Sequence, residues 1–314
     1  MHPYTLLASA KINLYLEILG DRPDGYHELA MVMQSVALAD QITLHPNGTE
    51  QIRLHCVHPE VPSDQSNLAY KAAALMKTQF PDAFEKFGGV DITVEKHIPV
   101  GAGLAGGSTD GAAVLVGLDL MWQLGLTQSE LQELAAKLGS DVPFCIGGGT
   151  AIATGRGEQL APLYGLDNLY VVLAKYRSLS VSTAWAYQTY RKQFSETYIT
   201  EGDRLRGRQH QVHSGPMVSA ISQRDATQIG KLLYNDLEKV VLPAYPQVEQ
   251  LRETMRSLNP LGAMMSGSGP TVFALTDSRA HAEEIQQNLR GAIADPDLEI
   301  WVTQMIPSGI HLVQ

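Results

Sequence analysis

The 314-residue sequence is short of cysteine, of basic charge and of long apolar runs. Cys56 and Cys145 are its two cysteines. Two thiols so far apart offer neither a disulfide framework nor a zinc pattern, and suggest a reducing compartment. Lys and Arg number 23 against 33 Asp and Glu, a net charge of −10. That balance argues against a sequence-independent nucleic-acid binder, whose footprint is basic. An anionic ligand must instead be held by local dipoles and a few placed cations. No apolar run approaches the length of a membrane span. The first ten residues are briefly apolar, but Lys11, Asn13 and Glu17 interrupt them before a signal core is reached. The expectation is a cytoplasmic protein with no nucleic-acid or membrane partner. Internal repeats and low-complexity tracts are absent as well.

What the sequence does have is glycine in clusters. Residues 99–109 read Pro99, Val100, Gly101, Ala102, Gly103, Leu104, Ala105, Gly106, Gly107, Ser108, Thr109. Ahead of them, residues 90–95 alternate apolar and polar side chains, the period of a strand. Behind them, residues 110–118 read as a helix. A strand feeding a glycine loop and then a helix N-terminus gathers free N–H groups and the positive end of the helix dipole. Phosphates bind such places, and glycine lets the backbone approach them closely. A Walker loop needs a lysine after the last glycine, and none is there. Gly101, Gly103 and Gly106 satisfy G-x-G-x-x-G. A dinucleotide fold, however, needs a short strand ending in an acid about 20 residues on, whereas a helix pattern begins at Thr127. From these residues alone, a flexible connecting loop is still open as a reading.

Residues 9–18 predict a strand with Ile12, Leu14, Leu16 and Ile18 on one face and Lys11, Asn13, Tyr15 and Glu17 on the other. A solvated face is the simpler account of the second set. Turn-rich residues 20–27 lead into a second apolar strand at 28–36. Tyr26 and His27 sit at that junction. They suit stacking on a base and hydrogen bonding to it, and they suit an ordinary loop. Residues 41–45 and 51–56 read as further strands. His55, Cys56 and His58 face alternate ways with no second ligand cluster, which argues against a metal site. Residues 67–80 predict a helix with Leu68, Ala72, Leu75 and Met76 on one side. A capping box at Thr127 and Glu130 opens another, striped by Leu131, Leu134, Ala135 and Leu138. Asp141 precedes Pro143 at a helix start, where a plain N-cap accounts for it. Strands are expected at 150–154, 169–174 and 299–306. Helices are expected at 182–191, carrying Thr183 and Tyr187, and at 243–258 and 280–289. A second glycine cluster lies at 147–149, and a third glycine turn, at 264–271, runs into a further strand. Residues 192–216 are polar and aperiodic, and read as a mobile connection between lobes.

Three separated stretches together resemble the GHMP kinases: residues 9–16, residues 99–109, and Ser-Gly-Ser-Gly-Pro-Thr-Val-Phe at 266–273. Within that family, four further stretches resemble the branch that phosphorylates a cytidylated methylerythritol for isoprenoid precursors. They are Ala-Lys-Ile-Asn-Leu at 10–14, Asp-Gly-Tyr-His at 24–27, Ser-Asp-Val-Pro-Phe at 140–144 and Asn-Asp-Leu-Glu at 235–238. The resemblance implies a two-lobe α+β fold. Its N-terminal ribosomal-protein-like α/β lobe would span residues 1–165 and its C-terminal ferredoxin-like lobe residues 166–314, with 191–216 a variable insertion.

It implies ATP as co-substrate with Mg2+, and a small-molecule acceptor, on a monomer or weak homodimer. Lys11 and Asp141 would be catalytic. Lys96 and the whole run 99–109 would bind ATP, with Ser108 or Thr109 near the metal and the Asp110 carboxylate turned away from the nucleotide. Asn13, Tyr26, His27, Thr183 and Tyr187 would bind the acceptor, Tyr187 as a second aromatic wall. Two other classes remain: a sister kinase for mevalonate, homoserine or a similar alcohol, and a nucleotide-binding regulator without turnover. The Tyr26–His27 pair argues against the first, whose acceptors carry no base. Intact Lys11 and Asp141 argue against the second.

Overall fold

The computed structural model describes residues 2–200 and 202–313. Its frame is a long antiparallel ladder between β1 (Tyr4–Asp21) and β2 (His27–Pro46). The two expected strands at 28–36 and 41–45 are one strand. Its first half pairs with one neighbour and its second half with another. The ladder has three register shifts, between Ser9 and Ala10, Asn13 and Tyr15, and Ile18 and Gly20. Each extra residue turns the following side chains to the opposite face. Ala10, Ile12 and Leu14 therefore join one apolar cluster, while Leu16 and Ile18 join the other. The expected common face of Lys11, Asn13, Tyr15 and Glu17 is divided. Lys11 and Asn13 share one side, buried, and the shift after Asn13 sends Tyr15 and Glu17 to the other.

Next in the chain come β3 (Ile52–Cys56), α1 (Leu68–Gln79), α2 (Pro81–Phe87), β4 (Val90–Glu95), α3 (Gly106–Trp122), α4 (Gln128–Ala136), α5 (Val142–Gly147), β5 (Thr150–Gly155) and β6 (Gln159–Leu163). Asn67 caps α1 through its side chain, and the Thr127–Glu130 capping box opens α4 as expected. The buried side of α1 is Ala69, Ala72, Ala73 and Met76, with Leu68 and Leu75 half-buried. Helix α3 is buried along most of its length, and Gly117, where a Cβ would run into Leu44 and Leu6, lets it lie close on β1 and β2.

The chain continues with β7 (Tyr170–Tyr176), α6 (Thr183–Phe194), α7 (Gly202–His213), α8 (Pro216–Ser222), α9 (Ala226–Lys231), β8 (Tyr234–Asn235), α10 (Glu238–Ala244), α11 (Pro246–Ser257), β9 (Gly262–Met265), β10 (Val272–Thr276), α12 (Arg279–Ala292), β11 (Leu298–Gln304) and β12 (Ile310–Val313). Strands β11, β7, β10 and β9 lie in that order in an all-antiparallel sheet. Numbered along the chain, the order is fourth, first, third, second, with helices after the first and third. That is the ferredoxin-like arrangement. One apolar layer joins the two sheets, with Ile12, Leu14 and Val32 alongside Leu173, Phe273 and Leu275.

Three expectations change here. The region 192–216 is not a bare connection: it contains α7, whose Arg208 bonds the Glu17 carboxylate at 3.0 and 3.2 Å. The expected helix 243–258 is two helices that meet at Tyr245, because Pro246 can open a helix but not continue one. The expected division at 165/166 also has two exceptions. Strands β8 and β12, from the C-terminal half, both pair with β1 in the first sheet.

Candidate active site

A cavity of about 780 Å³ is lined by residues of both halves of the chain. Its upper wall is the loop between β4 and α3. Ala105 precedes α3 in the left-handed region (φ 60°) and no side chain caps the helix. The N–H groups of Gly106, Gly107 and Ser108 therefore lack intrahelical partners, and these three residues face the cavity. Gly103 must be glycine for closeness: a Cβ there would run into the Ser266 carbonyl. The loop is thus packed directly on the third glycine turn, and the Ser266 hydroxyl donates to the Gly103 carbonyl at 3.1 Å.

Not every residue of the run turns to the cavity. Leu104 is buried in the core, and its carbonyl accepts the Lys11 N–H at 3.1 Å. Thr109 is fully buried and outside the cavity wall, so Ser108 is the hydroxyl on that side. Lys96 lies beneath the loop. Its ammonium bonds the Asp40 carboxylate at 2.5 Å and the Asp110 carboxylate at 2.8 Å. Asp40 also accepts the N–H groups of His97 and Ile98. Asp110, which also borders the cavity, is pushed up to about 8 by burial and by the neighbouring Asp40.

On the cavity floor, the Lys11 ammonium donates to Asn13 Oδ1 at 2.7 Å and lies 3.5 Å from the Asp141 carboxylate. The plain N-cap reading of Asp141 fails. It occupies the N-cap position of α5 yet makes no capping hydrogen bond, so its carboxylate stays free for the cavity. The solvated reading of Lys11 and Asn13 fails too, since both are buried. Gly267 closes over them: a Cβ there would lie 3.3 Å from Asn13 Oδ1 and 3.4 Å from Lys11 Nζ. Asn235 holds that turn by donating to the carbonyls of Met265 and Gly267 at 2.9 and 2.8 Å. Asp236 accepts the Ile18 N–H at 2.8 Å and fixes the same region to β1.

From the floor the cavity runs toward aromatic residues. The His27 and Tyr187 rings are 5.1 Å apart. His27 is buried, which holds its imidazole below the usual value, and its Nε2 has no hydrogen-bond partner. Burial pushes the Tyr187 hydroxyl up. Tyr26 is 51% exposed, and the Arg156 guanidinium lies 5.1 Å over its ring. Thr183 shares a 2.8 Å hydrogen bond with Ser268. Arg191 bonds Asp21 and the Gly25 carbonyl, bracing the turn that carries Tyr26. In the other direction the cavity reaches Pro62, Asn67 and Leu68 beside Lys96. Asp40, Arg156 and Arg191 had no signal in the sequence, since none belongs to a local pattern, and Ser268 was not singled out within its glycine turn.

A glycine loop for phosphates, a lysine–carboxylate pair on the floor and a ferredoxin-like second sheet define a small-molecule kinase of the GHMP type. The models for the GHMP kinases N terminal domain and the GHMP kinases C terminal match residues 67–149 and 217–295. A protein of Gloeothece citriformis (strain PCC 7424), named 4-diphosphocytidyl-2-C-methyl-D-erythritol kinase, is 66% identical over 312 residues, 99% of each chain. The crystal structure of a 4-(cytidine 5'-diphospho)-2C-methyl-D-erythritol kinase is 31% identical with TM-score 0.73, over 96% of this chain and 98% of that one. A homoserine kinase from Cytophaga hutchinsonii, 18% identical with TM-score 0.76 over 100% and 98% of the chains, shares the fold. The chain belongs to the GHMP kinase family, within the group of 4-diphosphocytidyl-2-C-methyl-D-erythritol kinases.

Proposed function

We propose that this protein transfers the γ-phosphoryl group of ATP to the 2-hydroxyl of 4-(cytidine 5'-diphospho)-2-C-methyl-D-erythritol, in the non-mevalonate route to isoprenoid precursors. The observation that carries the reading is the joining of two sites in one cavity: the uncapped loop 101–108, and an aromatic arm at Tyr26, His27 and Tyr187. Lys11 and Asp141 lie between them. The acceptor alcohol is tertiary and a poor nucleophile, so it needs a base. Asp141 takes its proton. Lys11, at 3.5 Å, pairs with that carboxylate and stabilises charge on the attacking oxygen. Asn13 orients the Lys11 ammonium and hydrogen-bonds the acceptor.

The loop N–H groups hold the ATP phosphates, and the nucleotide base lies toward Leu68 and Pro62. Lys96 serves ATP through the shape of the loop, since Asp40 and Asp110 already occupy its ammonium. Thr183 and Tyr187 line the acceptor side. Among the described residues no three acidic, histidine or cysteine groups cluster as a metal cage. This fits Mg2+ bound mainly by ATP oxygens, with the Ser108 hydroxyl in reach, as is usual for that ion. Bound there, it would neutralise phosphate charge. Among the described residues no helix is long and apolar enough to cross a membrane. Work in the cytoplasm, as a monomer or weak homodimer, belongs to the same proposal.

ADP release is the test, with ATP, Mg2+ and the cytidylated alcohol, and with mevalonate and homoserine in parallel. Turnover of the cytidylated alcohol alone supports the whole reading. Turnover of an uncytidylated alcohol alone removes the base pocket and keeps the kinase. ATP binding without any turnover leaves a regulator.

A further inference from the structure

The cavity wall carries four Lys or Arg side chains: Lys11, Lys96, Arg156 and Arg191. Three already face carboxylates. Lys11 faces Asp141, Lys96 lies between Asp40 and Asp110, and Arg191 bonds Asp21. Arg156 alone of the four makes no ion pair among the described residues. Its Nη2 donates to the Ala136 carbonyl at 2.8 Å, which orients the guanidinium without cancelling its charge. The nearby Glu158 carboxylate takes the Arg156 backbone N–H at 2.8 Å. Asp24, the other acid that feels Arg156, is held by Arg22 at 3.1 Å.

The position of Arg156 matters as much as its charge. It lies on the turn between β5 and β6, fastened to β2 by the 3.1 Å bond from the Gly155 N–H to Glu28. One side of Arg156 covers the Tyr26 ring. The next residue, Gly157, lies against Ser140, where a Cβ would be 3.7 Å from the Ser140 carbonyl. Ser140 adjoins Asp141. Arg156 therefore lies on the cavity wall with its guanidinium at the aromatic arm, on a turn that packs against the residue before Asp141.

We infer that Arg156 binds the diphosphate bridge of the acceptor and thereby selects a diphosphate-linked nucleoside. This rests on the kinase reading above. An acceptor with its base at Tyr26 and its hydroxyl at Asp141 must carry the intervening diphosphate past this guanidinium. Arginine's planar fork matches phosphate oxygens, and with the net charge at −10 the protein supplies no general positive field to replace it.

The test is a calorimetric titration with CDP and with cytidine, the ATP site being filled by a non-hydrolysable ATP analogue. Wild-type protein should bind CDP more tightly than cytidine by about tenfold or more, the range for a charged hydrogen bond. Arg156→Gln and Arg156→Met should lose that preference while keeping cytidine and ATP affinity, and Arg156→Lys should recover part of it. Whichever neutral variant retains ATP binding decides the matter. If it keeps the wild-type preference for CDP, the assignment of Arg156 is wrong and the kinase reading stands. If wild-type protein binds ATP but neither CDP nor cytidine, the kinase reading fails and this inference with it.

Discussion

The ammonium groups of Lys11 and Lys96 both border the cavity, on side chains 6% and 5% exposed. Their surroundings differ. Lys96 has two carboxyl groups within 2.8 Å, one of which also gathers two backbone N–H groups. It joins the strand before the phosphate loop to the helix after it, and closes the neck of the loop. Lys11 has one carboxylate, farther off, and the neutral amide of Asn13. A buried cation with full compensation is structural, because its field ends at its partners. One with partial compensation still acts on whatever enters the site, and that is what a developing oxyanion requires. Position near a phosphate loop does not separate the two lysines. Their partners do.

The sharpest break in this comparison comes from its catalytic side. Asp141→Asn and Lys11→Met should each lower kcat by about 10²–10⁴-fold with little change in KM for ATP, measured by coupled ADP release. Near-normal turnover in Asp141→Asn would remove the base role. A smaller effect is expected from the turn above Lys11. Asn235→Ala leaves two carbonyls without their donors, and should lower Tm by several degrees and kcat by about tenfold through misplacement of Gly267. Calorimetry and steady-state kinetics on the same preparation separate the two effects.

The Lys96 side should speak mainly through stability. The Asp110 carboxyl is raised from an ordinary 3.8 to about 8 by burial, so the folded state keeps a proton that the unfolded chain releases. Its contribution is full below pH 3.8 and is lost as pH rises toward about 8. Asp110→Asn, neutral at every pH, should flatten the fall in stability between pH 5 and 8, read by urea unfolding, and raise KM for ATP severalfold. An unchanged slope would place the proton elsewhere. The smallest effect belongs to a site remote from both lysines. Thr127→Ala removes half of a capping box and should cost about 1 kcal/mol of stability, with kcat unchanged.

What the sequence made legible was local. Residues 90–118 carry strand, loop and helix in one continuous pattern, and the structure has all three. The ferredoxin-like half could be named only through the resemblance, because its sheet is assembled from strands as distant as β7 and β11. Lys11 was harder. Its alternation with apolar neighbours fits an exposed face, and its burial comes from Asp141 and Gly267, far along the chain. The register shift after Asn13 was invisible, since an extra residue in a strand leaves the apolar alternation intact while reversing its sense. Helix α7 was missed because polar residues dominate it. What ties it down is Arg208 to Glu17, a contact that exists only once the shift has turned Glu17 outward.

Strand β1 receives β12 along one edge, from Thr5 opposite Val313 to Ala8 opposite Ile310, and β8 at Tyr15 and Leu16. Read as an order of synthesis, this means that the first strand made waits for some of the latest. Until the ribosome has passed residue 310, β1 can pair with β2 but keeps an open edge, the kind that invites other chains. The half of the protein that carries the glycine loop cannot be completed first and left to stand while the other half is made. Both must close together, and the site between them is finished in that same step.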